Sequence, residues 1–270
     1  MLQQKRASSR RYLVSIGVLV VLGVIISLFD GVIARDLNYH NLPGEIRRVL
    51  SWAEVLGHGL GLATIMVGIY AFAPSFRKFL PRIAACTICG GLLGDAVKLV
   101  VERVRPVAVY HQLDDIAGHA LSGWGETPDM HASAVTSYHL GSFPSSHAAT
   151  AFAFAAVMVW LIPRSGWYFY TLAALAGIQR VAYLGHWTSD VVVGAVIGLL
   201  MGMLFTQTKF ANRIFARLEQ RSNWKAILLH QDDANRRRQK NEAATEKSEH
   251  RSRSVQRRNP RKKLEYNRAA

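Results

Sequence analysis

Six apolar segments constrain this chain more than any other feature of its sequence. The hydrocarbon core of a bilayer is about 30 Å thick and is crossed by about 20 mostly apolar helical residues. The segments, of which the shorter ones can be extended by flanking residues, are Tyr12–Phe29, Val55–Ala73, Ile83–Val101, Ala148–Ile162, Gly166–Gln179 and Val191–Thr206. The sequence therefore predicts an all-α fold, an integral membrane bundle of six transmembrane helices over residues 12–206.

The first apolar segment follows a basic stretch and resembles a secretory signal. It is long for the apolar part of a signal, however, and it continues into DGVIARD rather than into a small-x-small cleavage site. We interpret it as a retained helix.

Positive charge is concentrated towards the C-terminal end. The formal net charge is +15, and Lys209–Ala270 holds 18 Lys and Arg against 7 Asp and Glu, which is +11 of that total. Short cytoplasmic loops retain basic residues, so we expect a plasma (inner) membrane protein with both termini in the cytoplasm, including a basic N-terminus over residues 1–11. The segment Val107–Phe143 is then predicted to lie on the outer, periplasmic face.

Basic and apolar residues recur every four positions directly after the sixth segment. These residues are Lys209, Arg213, Arg217, Arg221 and Lys225, together with Phe210, Ile214 and Leu218. The spacing predicts a basic amphipathic helix over residues 207–230, which either docks on anionic headgroups or only marks the cytoplasmic side. Residues 231–270 are predicted to be a disordered basic tail. No recognised nucleic-acid-binding fold accompanies these charges, which disfavours a nucleic-acid partner.

Ionisable residues at the ends of apolar segments are costly and mark candidate functional sites. The third segment ends in GDAVKLVVERVRP, and in a helix that ends at Arg105, before a proline, Lys98 and Arg105 share one face while Arg103 points elsewhere. Asp95 and Glu102 lie near that face. An ion-pair ladder with Lys98 would explain the two acids and leave Arg105 unexplained.

A second group of polar residues is PSSH, at the start of the fourth segment. Ser145 and Ser146 can cap a helix there, and the free N–H groups of its first turn favour an anion. His147 lies at the same helix end. Taken alone, a capping serine and an interfacial histidine are more often structural.

The third group, IQRVAYLGHWTSDVVVG, joins the fifth segment to the sixth. His186 and Asp190 are four residues apart, so in a helix that begins by Gly185 the carboxylate can hold one ring nitrogen. Arg180 lies on the same side of the membrane.

Six spans place all three groups on the outer face, where they describe a phosphate site. Cations and N–H groups neutralise the phosphate oxygens, one histidine attacks phosphorus, an aspartate orients it, and the other histidine protonates the leaving oxygen. This chemistry needs no metal and no cofactor, and the set has no carboxylate cluster of the kind that Mg²⁺ requires. The converging residues are Lys98, Arg105, His147, Arg180, His186 and Asp190.

The motifs Lys-x6-Arg-Pro, Pro-Ser-x-His and Arg-x5-His-x3-Asp together resemble the signature of the type 2 phosphatidic acid phosphatase superfamily. These are integral-membrane lipid phosphatases related to acid phosphatases and vanadium haloperoxidases, and the resemblance covers about Tyr12–Thr206. It implies that His186 is the nucleophile, forming a phosphohistidine, that Asp190 orients it, and that His147 is the general acid. The phosphate ligands it implies are Lys98, Arg105, Ser145, Ser146 and Arg180.

Two residues depart from the family's usual pattern. Ser146 replaces the common glycine of Pro-Ser-Gly-His, which is tolerable if its φ is negative, and Gln179 replaces the common serine before Arg180. We expect these changes to affect geometry and substrate preference rather than activity.

Two further groups of polar residues permit more than one interpretation. Glu54 and His58 are either indirect supports of the site or an interfacial pair, and we favour the pair. The outer segment either contacts a headgroup or is a solvated loop, and its polar and aromatic residues are Asp114, Asp115, His119, Trp124, Glu126, Asp129, His131 and His139.

Three functions are compatible with these features. The first is a metal-independent lipid phosphatase that acts on a phosphomonoester or diphosphate headgroup, and it is favoured because every chemical role is filled. The second is a phosphotransferase that uses the same phosphohistidine, and the third is a non-catalytic membrane scaffold that acts through its basic tail. The sequence does not choose among phosphatidic acid, phosphatidylglycerophosphate, polyprenyl diphosphate and lipid A as substrate.

Overall fold

The computed structural model describes residues 2–112, 122–124, 140–219 and 241. Throughout these ranges the regular structure is helical, with one isolated bridge between Arg103 and Gly141, so the all-α prediction is confirmed. The predictions for residues 113–121, 125–139 and 220–230 lie outside the described residues, as do those for the tail 231–270 apart from Asn241. Those residues include Asp114, Asp115, His119, Glu126, Asp129, His131 and His139.

Each of the six apolar segments overlaps one long helix, and two further helices lie between the first segment and the second. The helices are α1 (Leu2–Ser27), α2 (Asp30–Asp36), α3 (Gly44–Ala53), α4 (Gly59–Phe72), α5 (Leu80–Lys98), α6 (Ser146–Leu161), α7 (Gly166–Ala182) and α8 (Thr188–Gln207). Short 3-10 turns occur at Tyr39–Asn41, Glu54–Leu56, Pro74–Phe79, Pro106–Gln112 and Pro163–Ser165. Residues 209–219 are also helical, within the range predicted for the basic amphipathic helix.

Helix α6 is the centre of the bundle and packs against α5, α7 and α8. Helix α1 packs against α8, and its Tyr12 hydroxyl also donates to the carbonyl oxygen of Ala156 in α6 at 3.3 Å. Small residues permit this packing. A Cβ on Gly194 of α8 would lie 2.3 Å from the carbonyl oxygen of Ser145, and one on Gly198 would lie 2.5 Å from that of Ala149. Glycine therefore lets α8 touch the backbone of α6, which brings the N-terminal ends of both helices side by side.

The apolar helices indicate a membrane protein, although they do not establish six spans. Two helical stretches are long and apolar enough to cross a bilayer, Pro74–Lys98 and Thr188–Gln207. Two bent pairs add up to two more spans, Tyr12–Ser27 with Asp30–Asp36 at 79° and Gly44–Leu56 with Gly59–Phe72 at 72°. The described residues thus contain two to four candidate spans. At a rise of 1.5 Å per residue α6 and α7 are only about 25 Å long, so the six-span count stays a prediction.

The prediction that the third helix continues to Arg105 is wrong. Helix α5 ends at Lys98, and the backbone N–H groups beyond it pair with distant carbonyls: Arg103 donates to Leu140 at 2.9 Å and Val104 donates to Gly123 at 3.1 Å. These tertiary hydrogen bonds replace the helical ones. Lys98 and Arg105 therefore do not share a helical face.

The chain divides into two compact units, Met1–Arg217 and Leu218–Ala270. Every residue of the site described below belongs to the first unit.

Candidate active site

Three chain segments that are distant in sequence meet at the N-terminal ends of α6 and α8. The Lys98 ammonium, at the end of α5, donates to the hydroxyl of Ser146 at 2.6 Å. The backbone N–H of Ser145 donates to the carbonyl oxygen of Asp190 at 3.1 Å. The structure therefore brings the three sequence motifs together.

The start of α6 is capped as its sequence suggests. Ser145 is the N-cap residue and its hydroxyl accepts from the N–H of Ala148 at 3.4 Å. Ser146 is the first residue of the helix, so its φ is negative and the extra Cβ relative to glycine is tolerated. Its hydroxyl donates to Asp95, which also accepts from Lys98 at 3.1 Å. The serine that departs from the family pattern thus helps to fix the lysine.

His186 is buried in the connection between α7 and α8, and its ring is held by the main chain. Its Nδ1 atom lies 2.6 Å from the carbonyl oxygen of Ser142. Because a carbonyl oxygen only accepts, Nδ1 carries the proton and Nε2 keeps a lone pair available for attack. The expected direct bond to Asp190 is not formed, since its carboxylate lies 3.9 Å from Nδ1. Helix α8 begins at Thr188 rather than by Gly185, so His186 precedes the helix instead of sharing its face.

The carboxylate of Asp190 instead binds the residues around His186. It accepts from the backbone N–H of Trp187 at 3.0 Å, from the hydroxyl of Ser142 at 2.6 Å and from the guanidinium of Arg103. Ser142 thus donates its hydroxyl to Asp190 while its carbonyl holds His186. Asp190 is positioned to orient the histidine through Ser142 and Trp187.

The two arginines of the motifs are fixed by different kinds of acceptor. Arg105 donates to the carbonyls of Gly185 at 2.7 Å and Gly141 at 3.0 Å. Arg180 donates through Nη1 to the carboxylate of Glu54 at 3.2 Å, while its buried Nε–H has no hydrogen-bond partner among the described residues. That N–H is a donor ready for an anionic ligand.

Burial and nearby positive charges determine the protonation state of His186. Burial, followed by the positive charges of Arg105, Arg180 and Lys98, lowers the pKa of His186 well below its ordinary value, against the opposing effect of the Ser142 carbonyl. The imidazole is therefore neutral near pH 7, in the form required of a nucleophile.

The interpretation of Glu54 and His58 as an interfacial pair is wrong. The carboxylate of Glu54 accepts from Arg180 and also from the side-chain amide of Gln179 at 3.2 Å. The His58 ring lies 6.1 Å, centroid to centroid, from the ring of His147. Both residues therefore contact the predicted site, and the glutamine that departs from the family pattern is part of this contact.

Sequence reasoning missed three residues that contact the site. Arg103 was expected to point away from Lys98, although a cation just after an apolar segment was a signal. Asp30, which directly follows the first apolar segment, was a comparable signal. Ser142 gave none, because it acts largely through its backbone carbonyl.

The arrangement suits the binding and attack of a phosphate group. It combines a neutral buried histidine, three cations and the first turn of a 16-residue helix. Within the described residues no group of three or more His, Cys, Asp or Glu side chains is arranged to hold a metal ion.

A family model matches half of this chain. The model of the PAP2 superfamily matches residues 79–214. A lipid A 1-phosphatase of Porphyromonas gingivalis is 46% identical over 67 residues, 23% of this chain, so the match spans only 15% of that relative's length.

Two solved structures are similar to this chain. LpxE of Aquifex aeolicus has a TM-score of 0.46 at 21% identity, covering 63% of this chain and 90% of its own. The first transmembrane PAP2-type phosphatidylglycerolphosphate phosphatase from Bacillus subtilis has a TM-score of 0.46 at 23% identity, covering 70% and 92%. Because the family model matches half of the chain, the chain belongs to the PAP2 superfamily.

Proposed function

We propose that this protein is a membrane lipid phosphatase, a phosphoric ester hydrolase that removes phosphate from a phosphomonoester or diphosphate headgroup through a phosphohistidine. The observation that carries the proposal is the His186 ring, buried, neutral and held through Nδ1 among three cations. Membership of the PAP2 superfamily supports the chemistry. The name of the lipid A 1-phosphatase relative supports a lipid substrate.

The substrate phosphate binds between the cations and the start of α6. Lys98, Arg105 and Arg180 neutralise its negative oxygens, and the backbone N–H groups of Ser146 and His147, in the first turn of α6, donate to it. Arg180 contributes the Nε–H that has no partner elsewhere in the described part of the chain. These donors are preorganised, so they stabilise the added charge of a five-coordinate transition state at little reorganisation cost.

Two displacement steps complete the reaction. Burial and the charges of Arg180 and Lys98 lower the pKa of His147 to about 4, so the negative charge of the bound phosphate must stabilise its protonated form. Nε2 of His186 attacks phosphorus, the P–N bond forms, the P–O bond to the lipid breaks, and the protonated His147 gives its proton to the departing oxygen. A water molecule then attacks the phosphohistidine and gives its proton to His147, while the P–N bond breaks and phosphate leaves. Each histidine returns to its starting state, and no metal is required in either step.

The proposed topology has six spans over residues 12–206, both termini in the cytoplasm and the site on the outer face. The basic residues near Arg77 and Arg164, at the opposite ends of the helices from the site, support this orientation. We propose that residues 207–230 form a basic amphipathic helix directed to anionic headgroups and that residues 231–270 form a disordered tail. The substrate is then a lipid exposed at the outer leaflet, such as lipid A, a phospholipid or a polyprenyl diphosphate.

Phosphate release tests the function directly. The purified full-length protein is assayed in detergent with EDTA against phosphatidic acid, phosphatidylglycerophosphate, undecaprenyl diphosphate and lipid A, with His186→Ala as the matched control. We expect one free phosphate per phosphate lost from the preferred lipid. Loss of lipid phosphate without free phosphate would identify a phosphotransferase, and no release above the His186→Ala background on any of the four lipids would overturn the proposal.

A further inference from the structure

Arg103 is the central residue of a buried ion network next to His186, the predicted nucleophile. Its side chain is 1% exposed and pairs with two carboxylates that are each 0% exposed, those of Asp30 and Asp190. The guanidinium also donates to the hydroxyl of Ser189 at 2.8 Å and to the carbonyl of Ser122. All three nitrogen atoms of the guanidinium therefore donate hydrogen bonds.

The carboxylate of Asp30 comes from outside the segment that matches the family. Asp30 is the first residue of α2, whereas the family match begins at residue 79. Asp30 accepts from the backbone N–H of Ser189 at 2.9 Å and from Arg103 at 2.8 Å, and the hydroxyl of Ser189 also donates to it. The N-terminal helices thus cap α8 and hold Arg103 through the same carboxylate.

The main chain of Arg103 holds the other side of the histidine. Its N–H donates to Leu140 and its carbonyl accepts from the N–H of Ser142 at 3.0 Å. Ser142 supplies the carbonyl that binds His186 and the hydroxyl that binds Asp190. A displacement of Arg103 would therefore move both Ser142 and Asp190, which lie next to the imidazole of His186.

Stability alone gives a poor account of this network. Burying ions carries a desolvation penalty that well-packed apolar residues avoid. Two carboxylates and one guanidinium have a formal charge of −1, and one of these carboxylates, that of Asp190, lies 3.9 Å from Nδ1 of His186. The positive charges of Lys98, Arg105 and Arg180 also act on the ring. By Coulomb's law we expect the net negative charge of the network to oppose the effect of those cations on the imidazole and on the positive phosphohistidine.

We propose that Arg103 is a positioning residue for His186 and that Asp30 of the N-terminal helices is its fixed electrostatic partner. The proposal rests on the proposed function, because His186 must be the nucleophile. The N-terminal helices thereby contribute to catalysis, although they lie outside the family segment.

The test compares variants that change the buried charge in opposite directions. Arg103→Gln makes the network more negative, so the acid limb of kcat/KM against pH, where His186 becomes protonated, should move to higher pH. Asp30→Asn makes it less negative and should move the limb to lower pH. Each shift should be about half a pH unit or more for charges this deeply buried. Arg103→Gln should also lower kcat at least about tenfold with little change in KM, and Arg103→Lys, which keeps the charge, should recover part of that loss.

The same substitutions at exposed ion pairs are the controls. The control variants are Arg48→Gln and Asp36→Asn. Arg48 is 71% exposed and pairs with Glu45, and Asp36 pairs with Arg35. Both controls should match the wild type in kcat and in pH profile. The full-length protein is assayed with phosphatidic acid in detergent micelles, or with whichever lipid of the panel above the wild type hydrolyses.

The outcomes separate this proposal from the proposed function. The proposal is supported if the wild type is active and Arg103→Gln and Asp30→Asn shift the acid limb in opposite directions. It is overturned if both variants shift the limb in the same direction or if neither shifts it. If Arg103→Gln does not fold, Arg103→Lys should lower kcat without moving the limb while Asp30→Asn moves it down, and any other pattern overturns the proposal. An inactive wild type, or a fully active His186→Ala, overturns the proposed function instead.

Discussion

The Nδ1 atom of His186 lies 2.6 Å from the carbonyl oxygen of Ser142. A backbone carbonyl fixes the tautomer of a histidine as a carboxylate does. Unlike a carboxylate, the carbonyl remains when its own side chain is replaced. The carboxylate of Asp190 lies 3.9 Å from the same ring nitrogen and accepts from the hydroxyl of Ser142. We therefore expect Asp190 to affect catalysis through its negative charge and through the position of Ser142. The three side chains are therefore expected to differ in importance.

A graded loss of activity follows from this arrangement. His186→Ala should abolish turnover, and Asp190→Asn should lower kcat about a hundredfold because it would remove a charge that stabilises the proposed phosphohistidine. Ser142→Ala should lower kcat only about tenfold, since the carbonyl bond survives. Steady-state kinetics on the preferred lipid measures all three. If His186→Ala keeps more than about a tenth of the wild-type rate, another residue is the nucleophile.

The pH profile should reflect the environment of His186. Burial and the charges of Arg105, Arg180 and Lys98 lower the pKa of His186, so the reactive neutral form persists below the ordinary histidine range. The acid limb of kcat/KM should therefore lie below about pH 6.5, with the rate falling as pH drops through the lowered pKa. Lys98→Ala removes one cation and should raise the limb, whereas the exposed Arg164→Ala should not. A wild-type limb above pH 7 would contradict the assignment.

Sequence patterns predicted the helices better than their ends. The apolar segments identified the bundle because hydrophobicity is a local property, and the three motifs identified residues that do meet at α6 and α8. The end of α5 at Lys98 was missed because the N–H groups of Arg103 and Val104 pair with residues far along the chain. The role of Ser142 was missed for the same reason, because it depends on tertiary placement of a carbonyl.

Glu54 should affect substrate binding more than turnover. It anchors Arg180 and Gln179 through one carboxylate, so Glu54→Ala should leave Arg180 mobile and raise KM several-fold, with a smaller change in kcat. Glu45→Ala is the matched control, because Glu45 is exposed and contacts only Arg48 among the ion pairs of the described residues. Equal KM values for Glu54→Ala and the wild type would show that Arg180 needs no such anchor.

The contact between α6 and α8 should be sensitive to a single methyl group. A Cβ at Gly198 would lie 2.5 Å from the carbonyl oxygen of Ala149, whereas one at Gly68 meets no atom within 4 Å. Gly198→Ala should cost about 1–3 kcal/mol of stability, while Gly68→Ala should be neutral or slightly stabilising. Thermal unfolding of both variants in detergent measures the difference, and equal Tm values would mean that the helices can separate without cost.

Sidedness is the last prediction, and it connects the charge distribution to the substrate. If basic loops stay in the cytoplasm, Ser75, beside Arg77 and Lys78, faces inward and Asn41, between α2 and α3, faces outward; both residues are exposed. After Cys86 and Cys89 are replaced by Ala, Asn41→Cys should react with a membrane-impermeant maleimide on intact cells, and Ser75→Cys should react only after lysis. The cells need an outer envelope that admits the reagent, because a closed outer membrane would mimic protection. The reverse labelling pattern would place the site in the cytoplasm, where its substrates would be phosphoesters of that compartment rather than lipids of the outer leaflet.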